Sequence, residues 1–125
     1  MGIYESAEDY LETILKIKTE QGKVRSIDIA RAMNYSKPSV SRAMRLLREN
    51  ECIVMDEDGW IELLPKGQEI ASEIYERHLL FTKWLVALGV DPEVAAEDAC
   101  KIEHDISRET FQKMKAHIEA EHPNL

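Results

Sequence analysis

Cysteine is scarce in this chain of 125 residues. Cys52 and Cys100 are too few for a disulfide framework. Each is read as a reduced thiol, a core residue or a metal ligand. Long apolar runs are missing too, and none approaches the roughly 18 residues a membrane span needs. Met1-Gly2-Ile3-Tyr4-Glu5 has neither the basic start nor the apolar core of a signal peptide, so a cytoplasmic protein with no membrane partner is expected. There is no internal repeat and no low-complexity stretch. Excess positive charge is also absent, since 16 Lys and Arg face 24 Asp and Glu for a net charge of −8. What remains is a globular composition, 44% hydrophobic and 32% charged. It excludes wholesale disorder and fits one domain or two small ones.

The negative net charge would argue against a polyanionic partner if it were evenly spread, and it is not. Residues 23–50 carry Lys23, Arg25, Arg31, Lys37, Arg42, Arg45 and Arg48 against only Asp28 and Glu49. The flanking segments carry a net −3 and −10. One basic island in an acidic chain points to a polyanion-binding surface beside a part with another task.

Apolar positions at Tyr4, Ala7, Leu11, Ile14, Leu15 and Ile17 have helical spacing over residues 4–20, which Gly22 ends. Ser26 is read as the cap of a short helix from Ile27 to Met33, broken by a turn at Asn34-Tyr35. Ser36 caps the next helix, with Pro38 in its first turn. That helix places Val40, Met44 and Leu47 on one side and Arg42, Arg45 and Arg48 on the rest. Two short β-type runs, Cys52 to Met55 and Trp60 to Leu64, flank Asp56-Glu57-Asp58-Gly59, a hairpin signal. Pro65 opens a long helix to about Leu88, and Gly89 closes it. Asp91-Pro92 starts another, to about Asp105, and Ser107 caps the last. The expected fold is mainly α, with a winged helix-turn-helix over residues 1–64 and a helical part over residues 65–125.

Three groups of residues carry chemistry. A DNA-reading helix offers side chains to the major groove from its N-terminal end. Ser36, Lys37, Pro38, Ser39, Ser41 and Arg42 occupy that end here, with Arg45 and Arg25 on the same basic island. Cys100, Glu103 and His104 share a helix face, a thiolate, carboxylate and imidazole set that suits a divalent transition metal. The competing reading is a buried cysteine beside two surface polar residues. Asp9 and Glu12 share a face of the first helix, and His78 sits in an apolar stretch. Taken singly, these three read as a solvated carboxylate pair and a core histidine. Cys52 reads as a buried strand thiol, Trp60 as packing the hairpin, Phe81, Trp84 and Leu85 as core or dimer seam, and His117 and His122 as solvated.

The segments Ala7-Glu8-Asp9-Tyr10-Leu11-Glu12-Thr13-Ile14, Ile29-Ala30, Ser36-Lys37-Pro38-Ser39-Val40-Ser41, Leu64-Pro65-Lys66-Gly67, Arg77-His78 and Cys100-Lys101-Ile102-Glu103-His104-Asp105-Ile106-Ser107 stand in a telling order. In them the chain resembles the metal-dependent transcriptional repressors that include the diphtheria toxin repressor and the manganese transport regulator. The resemblance covers nearly the whole chain. It implies a homodimer, with a helical metal-binding and dimerisation domain, that binds a pseudo-palindromic operator in double-stranded DNA and represses metal-uptake genes. It implies metal ligation by Asp9, Glu12, His78, Cys100, Glu103 and His104. Asp9 is as in manganese-type members, whereas Cys100 is as in iron-type members. Fe(II) or Mn(II) is the expected ion, with Co(II) or Zn(II) the alternatives for a site containing thiolate. Thr82 and Ala96 stand where iron-type members place ancillary-site ligands, which argues against such a site. A short form lacking the family's SH3-like domain is expected, with no small organic substrate. The competing functions are a metal-free winged-helix regulator sensing a small molecule or thiol oxidation, and a carboxylate metalloenzyme. The enzyme is disfavoured because only Glu119-x-x-His122 has a di-metal spacing.

Overall fold

The computed structural model describes residues 2–125, with side chains from residue 6 onward. Tyr4, where the expected apolar face of the first helix begins, has its side chain outside the described residues. The elements are α1 (Gly2–Gln21), α2 (Ser26–Met33), α3 (Lys37–Glu49), β1 (Ile53–Met55), β2 (Ile61–Leu63), α4 (Pro65–Ala87), α5 (Pro92–Ile102) and α6 (Arg108–Glu121). The mainly helical winged architecture expected from sequence is present. The chain divides into two compact units, Met1–Glu73 and Ile74–Leu125, with the division inside α4.

In the first unit, Tyr10, Leu11, Ile14 and Ile17 recur at helical spacing on α1 and form its buried face. They pack in one core with Ile29 and Ala30 of α2, Val40, Met44 and Leu47 of α3, and Ile53 and Ile61 of the strands. Ser26 does not cap α2. Arg25 is the cap residue, because its backbone N–H donates to the Asp28 carboxylate at 2.9 Å and its carbonyl accepts from the Asp28 N–H. Ser26 lies in the first turn instead. Asn34 ends α2 in the left-handed conformation, φ 56°, which asparagine tolerates better than most residues. Ser36 caps α3 as expected, its hydroxyl accepting from the Ser39 N–H.

β1 and β2 pair antiparallel, with Val54 opposite Glu62. The Asp56 carboxylate closes the hairpin by accepting from the N–H groups of Asp58 and Trp60. Gly59, at φ 86°, supplies the left-handed turn residue. The strands are shorter than the sequence suggests, because Trp60 belongs to the turn and Leu64 leads directly into α4. Gly67 brings α4 against the hairpin: a Cβ there would sit 2.1 Å from the Cys52 carbonyl oxygen. That carbonyl also accepts from the Leu64 N–H, so it has little room to move.

The second unit is built from the rest of α4 with α5 and α6. Phe81, Ala99 and Phe111 form its core, packed by Leu80, Trp84, Ile102, Ile106 and Met114. The Phe81 and Phe111 rings meet edge to face at 5.7 Å. Asp91 and Ser107 cap α5 and α6, as read from sequence. α5 stops at Ile102 rather than near Asp105, because the Glu103 and Ile106 carbonyls accept from the Arg77 side chain of α4.

Two outcomes follow. Gly67→Ala will cost about 1–3 kcal/mol in denaturant unfolding, since the added methyl forces backbone apart; an unchanged midpoint would contradict the close approach. Burial, then Tyr35, raises the Tyr10 phenol above its usual 10.0 despite the opposing effect of Arg42. The folded state holds that proton more tightly than the unfolded chain. The Tyr10 contribution to stability is therefore complete below pH 10 and is lost as pH rises through the folded value. In unfolding experiments from pH 9 to 11, Tyr10→Phe will flatten this part of the alkaline decline.

Candidate metal centre and DNA-reading helix

Glu103 is the residue around which the second unit's polar side chains gather. It follows α5 directly and is fully buried. The His78 ring presents Nδ1 at 2.9 Å from one Glu103 carboxylate oxygen. His104 places Nε2 at 3.4 Å from the other, with its side chain only 1% exposed. Cys100, Glu103 and His104 each offer a ligand atom within 4.8 Å of the others. The competing sequence reading is thus inverted: Cys100 is the exposed member, while the carboxylate and imidazole are buried.

A buried carboxylate is costly unless it is paired or coordinated. The donors fall into two groups that share Glu103, one with Cys100 and His104 and one with His78. Thiol, imidazole and carboxylate are the donor types that borderline divalent metals take. The residues present therefore fit such an ion.

Arg77 fixes this arrangement, and the sequence reading gave it no separate role. Arg77 is buried, 8% exposed, and its Nη1 donates to the carbonyls of Glu103 and Ile106, both at 2.9 Å. Its head also lies over the Phe111 ring, 5.2 Å from the centroid. An arginine at a helix C-terminus satisfies carbonyls that have no partner within the helix. Here it also sets the path from Glu103 to Ser107. Its sequence signals were a charge beside His78 and its place in the Arg77-His78 segment of the family resemblance.

Asp9 and Glu12 are half-buried and one turn apart on α1, in the first unit. In the same unit α3 exposes Lys37, Pro38, Ser41, Arg42 and Arg45, while Ser39 is partly covered. The Ser36 hydroxyl is engaged in the cap and donates to Ser39 Oγ at 2.9 Å. A cleft of about 300 Å³ between the starts of α2 and α3 is lined by Ser26, Ile27, Lys37, Val40 and Ser41. Arg25 is exposed just before α2. Among the described residues, no helix is long and apolar enough to cross a membrane.

Residues 3–61 match the iron dependent repressor, N-terminal DNA binding domain, and residues 64–123 match the iron dependent repressor, metal binding and dimerisation domain. The chain belongs to the iron-dependent repressor family. This is a family of transcriptional regulators, not of enzymes. A transcriptional regulator MntR of Salmonella typhimurium is 35% identical over 112 residues, covering 90% of this chain and 71% of that protein. Among solved structures, the manganese regulator SloR aligns with TM-score 0.78 at 27% identity, over 90% of this chain and 53% of that one. A manganese-dependent transcriptional repressor in complex with manganese aligns with TM-score 0.77 at 27% identity, over 92% of this chain and 51% of that one. The chain thus spans about half the length of these solved relatives.

The Arg77 geometry makes a direct prediction. Arg77→Lys keeps the charge but loses the planar guanidinium that carries Nη1 to both carbonyls and lies over Phe111, and will cost about 1.5–3 kcal/mol in thermal or denaturant unfolding. A variant as stable as the parent would show that the two carbonyl bonds do not hold the segment.

Proposed function

We propose that this iron-dependent repressor family member is a metal-responsive repressor of metal-ion homeostasis, acting in the cytoplasm as a homodimer on a pseudo-palindromic DNA operator. Residues 1–64 form the DNA-binding part in this reading, and residues 65–125 the metal-binding and dimerisation part. The observation that carries it is the buried Glu103 carboxylate flanked by His78 and His104 and neighboured by Cys100. The residues proposed to hold metal are Asp9, Glu12, His78, Cys100, Glu103 and His104, with Glu103 common to the His78 group and the Cys100 and His104 group. A divalent cation there supplies positive charge shared among the carboxylates, thiol and imidazoles. Without it, Asp9, Glu12 and Glu103 carry like charges, and coupling to DNA arises only to the extent that the ion favours the DNA-competent arrangement.

Lys37, Ser41, Arg42 and Arg45 on the exposed side of α3, with Arg25 beside α2, are the proposed DNA contacts, joined by Ser36, Pro38 and Ser39 at the start of the helix. An arginine can fork onto guanine in the major groove, while lysines and hydroxyls hold phosphates. Homodimerisation is supported by Leu79, Val86, Leu88 and Val94, apolar side chains the second unit leaves exposed. Fe(II) or Mn(II) is the proposed physiological ion. The Cys100 thiolate widens the range toward Co(II) and Zn(II).

The test begins by selecting a duplex from a random pool with Mn(II)-loaded protein. Metal-stimulated binding to that duplex is then compared between the parent and Glu103→Ala. The variant will need about 100-fold more metal for half-maximal DNA binding, and sedimentation will still show a dimer. Unchanged metal dependence would defeat the assignment of Glu103. Cys100→Glu will shift the preference toward Mn(II) relative to Co(II) and Zn(II); an unaltered ranking would remove Cys100 from the proposed ligands.

A further inference from the structure

The hairpin is chemically ill suited to grip DNA by its tip. Residues 51–65 contain Glu51, Asp56, Glu57, Asp58 and Glu62 and no lysine or arginine. Glu57 and Asp58 at the tip are exposed. Phosphates would meet like charge there. The base of the hairpin is different. The Arg25 guanidinium lies over the Trp60 indole, 3.9 Å from the ring centroid, and the Lys23 ammonium lies 5.0 Å from it. Both cations are exposed, and the indole is partly buried.

Their backbone is tied down on both sides. Val24, between them, is fully buried and its carbonyl accepts from the Ile61 N–H at 2.9 Å. Arg25 is held by Asp28 at the start of α2. Stacking uses the face of a guanidinium and leaves its in-plane N–H fork available to an oxyanion. Two like charges over one ring repel each other, and the negative face of the indole offsets only part of that. An arriving anion relieves the rest. Ser26, next in sequence, lines the cleft with Lys37 and Ser41 of α3, so the pair borders the DNA-reading surface.

We propose that Trp60 is a positioning residue that holds Lys23 and Arg25 as a grip on the phosphate backbone of duplex DNA. This rests on the DNA-reading function above and adds to it where the protein takes hold of the backbone. The indole contributes rigidity: each long cation reaches the phosphate with less side-chain freedom left to lose.

The test uses the full chain with fixed Mn(II) and a random-sequence duplex of about 24 base pairs, read by fluorescence anisotropy across a salt series. The slope of log affinity against log salt falls by about 0.9 for each phosphate contact removed. Lys23→Gln with Arg25→Gln will lower the slope by about 2. Trp60→Leu will lower it by at least half as much and weaken binding severalfold, while Trp60→Phe, which keeps a π face, will restore most of both. A purely structural role for Trp60 would change the melting temperature without changing the slope. If Trp60→Leu fails to fold, the phenylalanine and double-glutamine variants decide. A parental slope in the double variant, or in a folded Trp60→Leu, overturns the grip while leaving DNA binding standing. Failure of the parent to bind any duplex overturns both.

Discussion

The structure turns on one buried carboxylate. Taking an ionisable group out of water costs several kcal/mol unless charge and hydrogen bonds are returned to it. Glu103 is fully buried, with His78 beside one of its oxygens and His104 beside the other. Much of the second unit serves that arrangement. The Arg77 guanidinium ends α5 by taking the Glu103 and Ile106 carbonyls, and Phe111 supports it from α6. The Phe81 and Phe111 contact beside it keeps α4 and α6 at a fixed spacing.

The first unit is organised around a different need, which is to expose charge without losing its core. α3 resolves this by period. Val40, Met44 and Leu47 face inward, and the arginines between them face water. The hairpin and the Lys23–Arg25 segment frame that helix with opposite charges. The acidic strand pair is kept in place by apolar contacts and by the Lys18 and Glu62 ion pair, while the cations lie over Trp60. The charge asymmetry of the chain is thus a division of labour within one small unit.

Most of the fold was legible because the helices carry local signals. Ser36, Asp91 and Ser107 are caps whose side chains bond the first turn, and Gly89 sits just beyond α4 with φ 103°. Such signals depend on near neighbours and can be read directly. Ser26 misled because Asp28, two residues on, competes for the cap from within the helix. The end of α5 was misplaced because its stop signal is Arg77, 26 residues away from Glu103. The exposure of Cys100 was hidden for a related reason. Helical spacing gives which residues share a face, but not which member of that face another helix covers. The stacking of Lys23 and Arg25 on Trp60 likewise joins positions far apart in sequence through the pairing of Val24 with Ile61.

A divalent metal at the Glu103 cluster can be measured directly. The most direct measurement is anaerobic calorimetric titration of the chelator-treated protein with Fe(II), Mn(II), Co(II) and Zn(II). At least one of these ions will bind saturably at micromolar concentration or tighter, and the bound ion will raise the melting temperature. Binding no better than millimolar for all four would contradict the metal assignment, leaving the buried carboxylate and its two imidazoles as structure alone.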